Sequence, residues 1–231
     1  MSVTCHLICA GPDGGDDYAI GKGDFVVACD GGYAKCATRG IEPGLVLGDF
    51  DSLEGGRPAE CPCECVELPW EKDDTDLQAA LRVCLKRGFD SFVIHDALGG
   101  DLGHTAAAIR SVAWLRKQGA TAVVEGCGQR ATIVLPGDGC VHFDAAPGAR
   151  VSVFSFGGEA TGVCEGGMHW SVEGIEIAPE ASFGVSNQVE SSDPWVSVDR
   201  GMLLLIYDLL EEEGYGVRKA FMHRLRTGGL R

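Results

Sequence analysis

Short apolar runs that halt at glycine, aspartate or proline, separated by stretches with helical spacing, set the tightest limit on what this chain can fold into. The runs fall at residues 3–10, Phe25–Cys29, 45–47, 66–68, Ser91–His95, 121–125 and 132–135. Between them, residues 33–39 can form a helix that Gly40 closes. A second helix places Leu77, Ala80, Leu81 and Cys84 on one face and stops at Gly88, and a third carries Leu102, Ala106, Ile109 and Ala113 toward Gly119. Strands alternating with short helical crossovers predict an α/β domain, a mostly parallel sheet with flanking helices. Ligands of such sheets bind at the carboxyl ends of the strands. That rule gathers Asp30, Asp49, Asp51, the acidic turn 73–76 and the glycine turn 99–105 onto one rim.

The pattern changes after the 136–139 turn. Residues 140–207 show short alternating runs between glycines and no helical spacing, which predicts a smaller antiparallel β-sandwich domain. The expected organisation is therefore an α/β domain over 1–137, a sandwich over 138–207 and a charged tail over 208–231. That tail carries Asp208, Glu211, Glu212 and Glu213, then Arg218, Lys219, Arg224, Arg226 and Arg231.

A net charge of −15 over 231 residues opposes binding to nucleic acid or to an anionic membrane surface. No apolar stretch is long enough to span a bilayer and the amino terminus shows no signal-peptide pattern, so a cytoplasmic protein is expected. The 11 cysteines are spread through strand and helix segments, as with Cys5, Cys9, Cys29 and Cys84, and read as small buried hydrophobes. Cys61, Cys63 and Cys65 form a separate group. Their spacing is not that of a structural zinc site, and an exposed loop is the plainer reading.

The chemistry concentrates at Gly48-Asp49-Phe50-Asp51. In an extended backbone Asp49 and Asp51 project to one side while Phe50 turns the other way into the core. Two carboxylates held so close call for a hard cation such as Mg²⁺. A loop in which Asp49 caps a turn and Asp51 is merely solvated is the other reading of the same residues. At the acidic turn, Asp73 or Asp74 suits an N-cap, and the helix dipole alone accounts for part of the acidity there.

Taken together these residues resemble the thiamine pyrophosphokinase family. The resemblance rests on Asp30-Gly31-Gly32, Pro43 with Gly48-Asp49-Phe50-Asp51-Ser52, Glu71-Lys72-Asp73-Asp74-Thr75-Asp76-Leu77, Gly99-Gly100 with His104-Thr105, and Ser186-Asn187. It implies an α/β catalytic domain followed by a β-sandwich, in a homodimer whose active sites form between subunits. It also implies Mg²⁺-dependent transfer of pyrophosphate from ATP to thiamine, releasing AMP. Asp49, Asp51 and Asp76 would be catalytic and hold the metal. Asp30, Lys72, Asp73, Thr75, Gly99, Gly100, His104 and Thr105 would bind ATP. Trp170, Ser186 and Asn187 would bind thiamine, with the flat cation stacked on Trp170; a sandwich-core tryptophan is the alternative for that residue.

One turn departs from the family. Its usual Gly-Gly-Arg-x-Asp-His reads here Gly99-Gly100-Asp101-Leu102-Gly103-His104, and Ala108 stands where an asparagine is usual. An arginine contact to phosphate and a carboxylate are thus missing from their expected places. Two other functions stay open on the sequence alone: a catalytically attenuated thiamine- or nucleotide-binding protein, and a metal-dependent phosphohydrolase.

Overall fold

The computed structural model describes residues 3–13, 17–50, 63–69, 71 and 73–209. Asp51, Lys72, Cys61 and the tail beyond Leu209, all singled out above, lie outside the described residues. The chain divides into two compact units, Met1–Cys127 and Gly128–Arg231.

The first unit contains β1 (Cys5–Ile8), β2 (Phe25–Cys29), α1 (Gly32–Thr38), β3 (Leu45–Gly48), β4 (Glu64–Glu67), α2 (Asp76–Lys86), β5 (Ser91–His95), α3 (Leu102–Lys117) and β6 (Thr121–Gly126). Its strands run parallel in the order β6-β5-β1-β2-β3-β4. The inner strands are buried along their whole length, the pattern expected where helices cover both faces. On one face Ile8, Val26, Ala28, Val46 and Phe50 pack with Cys36 of α1. Phe50 is inward as expected, but β3 ends at Gly48 and Phe50 is left-handed (φ +60°), so the backbone there is not the extended one that the sequence suggested. Each fully buried Leu or Ile in these strands contributes about 2 kcal/mol by removal from water. Cys63 and Cys65 also pack against this cluster, so the segment carrying them is not the exposed loop expected.

Two helix details differ from the sequence reading. Thr75, rather than Asp73 or Asp74, caps α2: its backbone is extended and its hydroxyl accepts from the Gln78 amide at 3.1 Å. Asp74 is instead drawn to Arg82, 2.8 Å away. In α3 the buried residues are Ala108, Ser111, Val112, Ala113, Leu115 and Arg116, while Leu102 is 82% exposed. Polar residues could join this face because each has an internal partner. The Ser111 hydroxyl donates to Gln78 at 2.9 Å, and the Arg116 guanidinium donates to the Ala120 carbonyl at 2.9 Å.

The second unit comprises β7 (Gln129–Val134), β8 (Val141–His142), β9 (Arg150–Ser155), β10 (Ala160–Gly166), β11 (Val172–Ile177), β12 (Asn187–Gln188), β13 (Trp195–Ser197) and β14 (Leu203–Asp208). Strands β12-β9-β14-β7 and β11-β10-β13-β8 form antiparallel layers. Val151, Val153, Leu203, Leu205, Val163 and Val196 are buried, and Phe143 meets Tyr207 at 5.0 Å between ring centroids. β7, expected as the last strand of the α/β domain, pairs antiparallel with β14 over six residues and belongs to this unit. Its hydrophobic run did not reveal strand direction.

A line of ionisable groups crosses the first unit's sheet. His6 on β1 meets His95 on β5 at 2.9 Å; His6 also faces Asp24 at 3.3 Å, and His95 faces Glu125 on β6 at 3.2 Å. Burial, together with the neighbouring His95, lowers the His6 pKa to about 4. A histidine depressed in the folded chain leaves stability intact above its unfolded value of about 6.5 and removes it as pH falls toward 4. Thermal denaturation should therefore show a loss of about 2–3 kcal/mol between pH 7 and pH 4 from this group. His6→Gln should flatten that dependence, and an unchanged pH profile in the variant would assign the acid sensitivity elsewhere.

Candidate active site

The order β6-β5-β1-β2-β3-β4 reverses direction between β1 and β5, and crevices for ligands open at such a point. Three chain segments meet there. The Cys9 amide donates to the His95 carbonyl at 3.1 Å, joining the ends of the two strands. Lys35, reaching from α1, donates to the Gly11 carbonyl and, at 2.7 Å, to Asp96, the residue just after β5. The Tyr18 hydroxyl donates to the same Asp96 carboxylate, and Arg39 lies over the Tyr18 ring at 4.3 Å. Asp96 has 2% of its surface exposed, so its charge is held by partners and not by water.

The sequence reading missed this cluster, although a signal was present. Asp30 and Asp96 each follow a buried strand directly, and both adopt a left-handed backbone, φ +46° and +53°. An aspartate that ends a buried strand and turns the chain is one local device used twice.

Asp30 is set by close packing. Its amide donates to the Leu47 carbonyl at 2.8 Å. A Cβ on Gly48 would fall 2.9 Å from the Asp30 Cα, and one on Gly32 would fall 1.9 Å from the Ile8 carbonyl oxygen. Only glycine lets the β1, β2 and β3 ends approach so closely. The Asp30 side chain is buried, and its Oδ1 meets no hydrogen-bond donor among the described residues. A buried carboxylate oxygen left without a donor is costly unless a ligand or cation completes it.

Asp49 follows β3, half-buried, beside this position. Asp76 opens α2, and Thr75 spends its hydroxyl on the cap. Asp73 is exposed. Among the described residues no three His, Cys, Asp or Glu side chains form a ready metal cage. Gly99 and Gly100 follow β5 in left-handed conformations, and Thr105 ties that turn to α3 by donating to the Gly99 and Asp101 carbonyls at 3.2 and 3.1 Å. His104 is exposed; its amide donates to the Asp101 carboxylate at 2.9 Å.

Asp101 is thus the N-cap of α3. The His104 and Gly103 amides hold its carboxyl below the usual carboxylate range. A Cβ on Gly103 would lie 2.9 Å from the Asp101 Oδ1. The two departures from the usual turn are therefore one arrangement: the aspartate caps the helix, and the glycine makes room for it.

In the second unit, Trp170 is 62% exposed, which excludes the sandwich-core alternative. Its backbone is gripped by Asn187: the Trp170 amide donates to Oδ1 at 3.1 Å, and Nδ2 donates to the Trp170 carbonyl at 2.8 Å. Asn187 is buried, so its amide serves the tryptophan. Ser186 precedes it in a left-handed conformation, φ +57°, with its side chain toward solvent. Phe183 and Val185 are also exposed nearby in the chain.

Residues 17–124 match the family model described as thiamin pyrophosphokinase, catalytic domain. The fold is similar to that of the thiamine pyrophosphokinase from Bacillus subtilis, with 21% identity, a TM-score of 0.76, and coverage of 89% of this chain and 98% of that one. It is likewise similar to a thiamin pyrophosphokinase family protein from Enterococcus faecalis (22% identity, TM-score 0.75, covering 91% and 100%). The thiamin pyrophosphokinase from Candida albicans aligns over 90% of this chain and 89% of its own at 12% identity, with a TM-score of 0.70. A comparison with curated protein sequences finds no match.

The joint role of Asp101 and Gly103 can be tested by thermal denaturation. Gly103→Ala should lower the midpoint, because the new methyl displaces the cap. In an Asp101→Ala background, the same replacement should raise the midpoint by about 2 °C, since alanine favours helix over glycine. Equal effects in both backgrounds would show that the two residues are independent.

Proposed function

With its place in the thiamin pyrophosphokinase family as premise, we propose that this chain transfers the pyrophosphoryl group of ATP to the hydroxyethyl oxygen of thiamine and releases AMP. The observation that carries the reading is the junction of strand ends in the first unit, where the Asp30 Oδ1 lacks a donor among the described residues and Asp49 and Asp96 follow the ends of β3 and β5. Anionic phosphates would need a cation in that acidic setting. The donors are hard carboxylate oxygens, which suit Mg²⁺. In this proposal Asp49, Asp51 and Asp76 hold the ion, and Asp30 faces the nucleotide. A bound Mg²⁺ would neutralise charge on the transferring group.

Lys72, Asp73, Thr75, Gly99, Gly100, His104 and Thr105 are assigned to the ATP side in the same proposal. With Asp101 standing where the family's arginine is usual, Lys35, which reaches the Gly11 carbonyl and Asp96, is the described cation assigned to the phosphates in this proposal. The exposed indole of Trp170 offers thiamine a flat face, with Ser186 as a polar neighbour and Asn187 holding the tryptophan in place. A homodimer completes the proposal, with each site built from two subunits.

Incubation with ATP and Mg²⁺ should yield AMP and thiamine pyrophosphate when thiamine is present, and neither product after chelation of the metal. Thiamine-independent release of phosphate would instead establish a phosphohydrolase. Asp49→Ala should lower turnover about a hundredfold or more at saturating Mg²⁺ without loss of folding. Trp170→Ala should weaken thiamine binding by about 3- to 30-fold and reduce the tryptophan quench; retention of both quench and affinity would remove the stacking assignment.

A further inference from the structure

Two buried histidines of the first unit take no part in the reaction above. His6 on β1 and His95 on β5 are the middle members of a row of four ionisable side chains. Asp24 Oδ2 lies 3.3 Å from His6 Nε2, His6 Nδ1 lies 2.9 Å from His95 Nε2, and His95 Nδ1 lies 3.2 Å from Glu125 Oε2 on β6. The two ring planes are within 3° of parallel, and their centroids are 5.2 Å apart, which is the N···N distance lengthened by about one ring radius at each end. The imidazoles therefore meet edge to edge in one plane, each aiming a nitrogen at the other.

A count of hydrogens along this row exceeds what its neutral rings can supply. Each of the three contacts joins two atoms that carry lone pairs, so each needs one hydrogen, and two neutral imidazoles hold only two between them. His6 and His95 are 3% and 2% exposed, and at these distances no water fits between the partners. A third hydrogen belongs on the imidazole pair, because that pair lies between two carboxylates. Asp24 already serves as an acceptor at its end of the row, taking the Thr4 amide on Oδ1 at 3.1 Å and the Gly21 amide on Oδ2 at 2.8 Å. A fourth hydrogen is resisted, since burial first and the neighbouring His95 next hold the His6 pKa down at about 4.

The pair reaches the rim of the sheet through Tyr18. The Tyr18 ring is 4.6 Å from the His95 ring, and the Arg39 guanidinium, paired with Asp13 at 2.6 Å, is 4.3 Å from the same aromatic ring. The Tyr18 hydroxyl donates to the Asp96 oxygen that also accepts from Lys35 at 2.7 Å. Asp96 directly follows His95 at the end of β5, so imidazole and carboxylate leave the same strand end.

We infer that His95 is a positioning residue for the ATP side of the site: with His6 it shares one extra proton, and the cation so formed holds the Tyr18 ring and, through Tyr18 and Asp96, the Lys35 ammonium. This rests on the assignment of Lys35 to the phosphates made above. A cation against an aromatic ring is attracted by the ring's quadrupole, more strongly where both are out of water. His95 touches no substrate in this arrangement, so its effect on ATP passes through Lys35.

Two measurements on the full chain test this. Nitrogen-15 NMR of the imidazoles at pH 7 should find hydrogen on three of the four ring nitrogens of His6 and His95; any other count overturns the shared proton. His95→Phe keeps a ring beside Tyr18 and removes the charge, and it should raise the KM for ATP about 3- to 10-fold with kcat within about twofold. Tyr18→Phe, which removes only the hydroxyl that reaches Asp96, should do the same. Lys35→Met should raise that KM further, and in its background His95→Phe should change it by less than about twofold, because the two residues act in series. Equal effects of His95→Phe in both backgrounds would show a merely structural histidine and overturn the inference, leaving the proposed activity standing. A KM for ATP unmoved by Lys35→Met would remove the phosphate assignment and the positioning role with it. If the wild-type chain forms no AMP from ATP and thiamine, the proposed reaction falls, and ATP affinity in the same variants decides the inference. Should His95→Phe fail to fold, the nitrogen count and Tyr18→Phe in the two Lys35 backgrounds decide it by the same comparison.

Discussion

The register of β2 against β3 governs everything built at the edge of the first unit. Cys29 lies level with Leu47, and the Asp30 amide extends that ladder by one hydrogen bond to the Leu47 carbonyl. The pairing sets Asp30 level with Gly48, the last residue of β3, and Asp49 follows one residue further along. A slip of one residue would send Asp30 to the opposite face and bring a different residue against Gly48. The apolar cluster of Ile8, Val26, Ala28, Val46 and Phe50 opposes such a slip, since it would expose that whole set of side chains. Packing in the core and the position of charge at the rim are therefore one constraint.

Much of this was legible in the chain because it follows from period and punctuation. The alternation of apolar runs with helical spacing gave a parallel α/β unit, and the glycine-separated runs after residue 140 gave an antiparallel one. Phe50 between two acids had one compatible direction. Trp170 was ambiguous because an indole in a β-rich segment satisfies either core or surface; the two bonds from Asn187 that hold it outward join residues 17 apart.

What escaped was set by tertiary pairing. β7 has the same composition as an inner parallel strand, and only its partner β14, some 70 residues later, decides its direction. Asp96 and Lys35 are 61 residues apart, and neither belongs to a spacing pattern. Thr75 holds the capping position, and its neighbour Asp74 pairs instead with Arg82, eight residues on.

The coupling of Asp101 with Gly103 has an evolutionary consequence. Passing between this turn and the arginine–aspartate form usual in the family takes two replacements, and either order has an unfavourable middle. Changing the glycine first crowds the carboxylate that caps α3; changing the aspartate first leaves the helix end uncapped. A lineage that has settled on one form is kept there by the shape of the turn itself. The pair should be inherited together, as if it were a single character written in two residues.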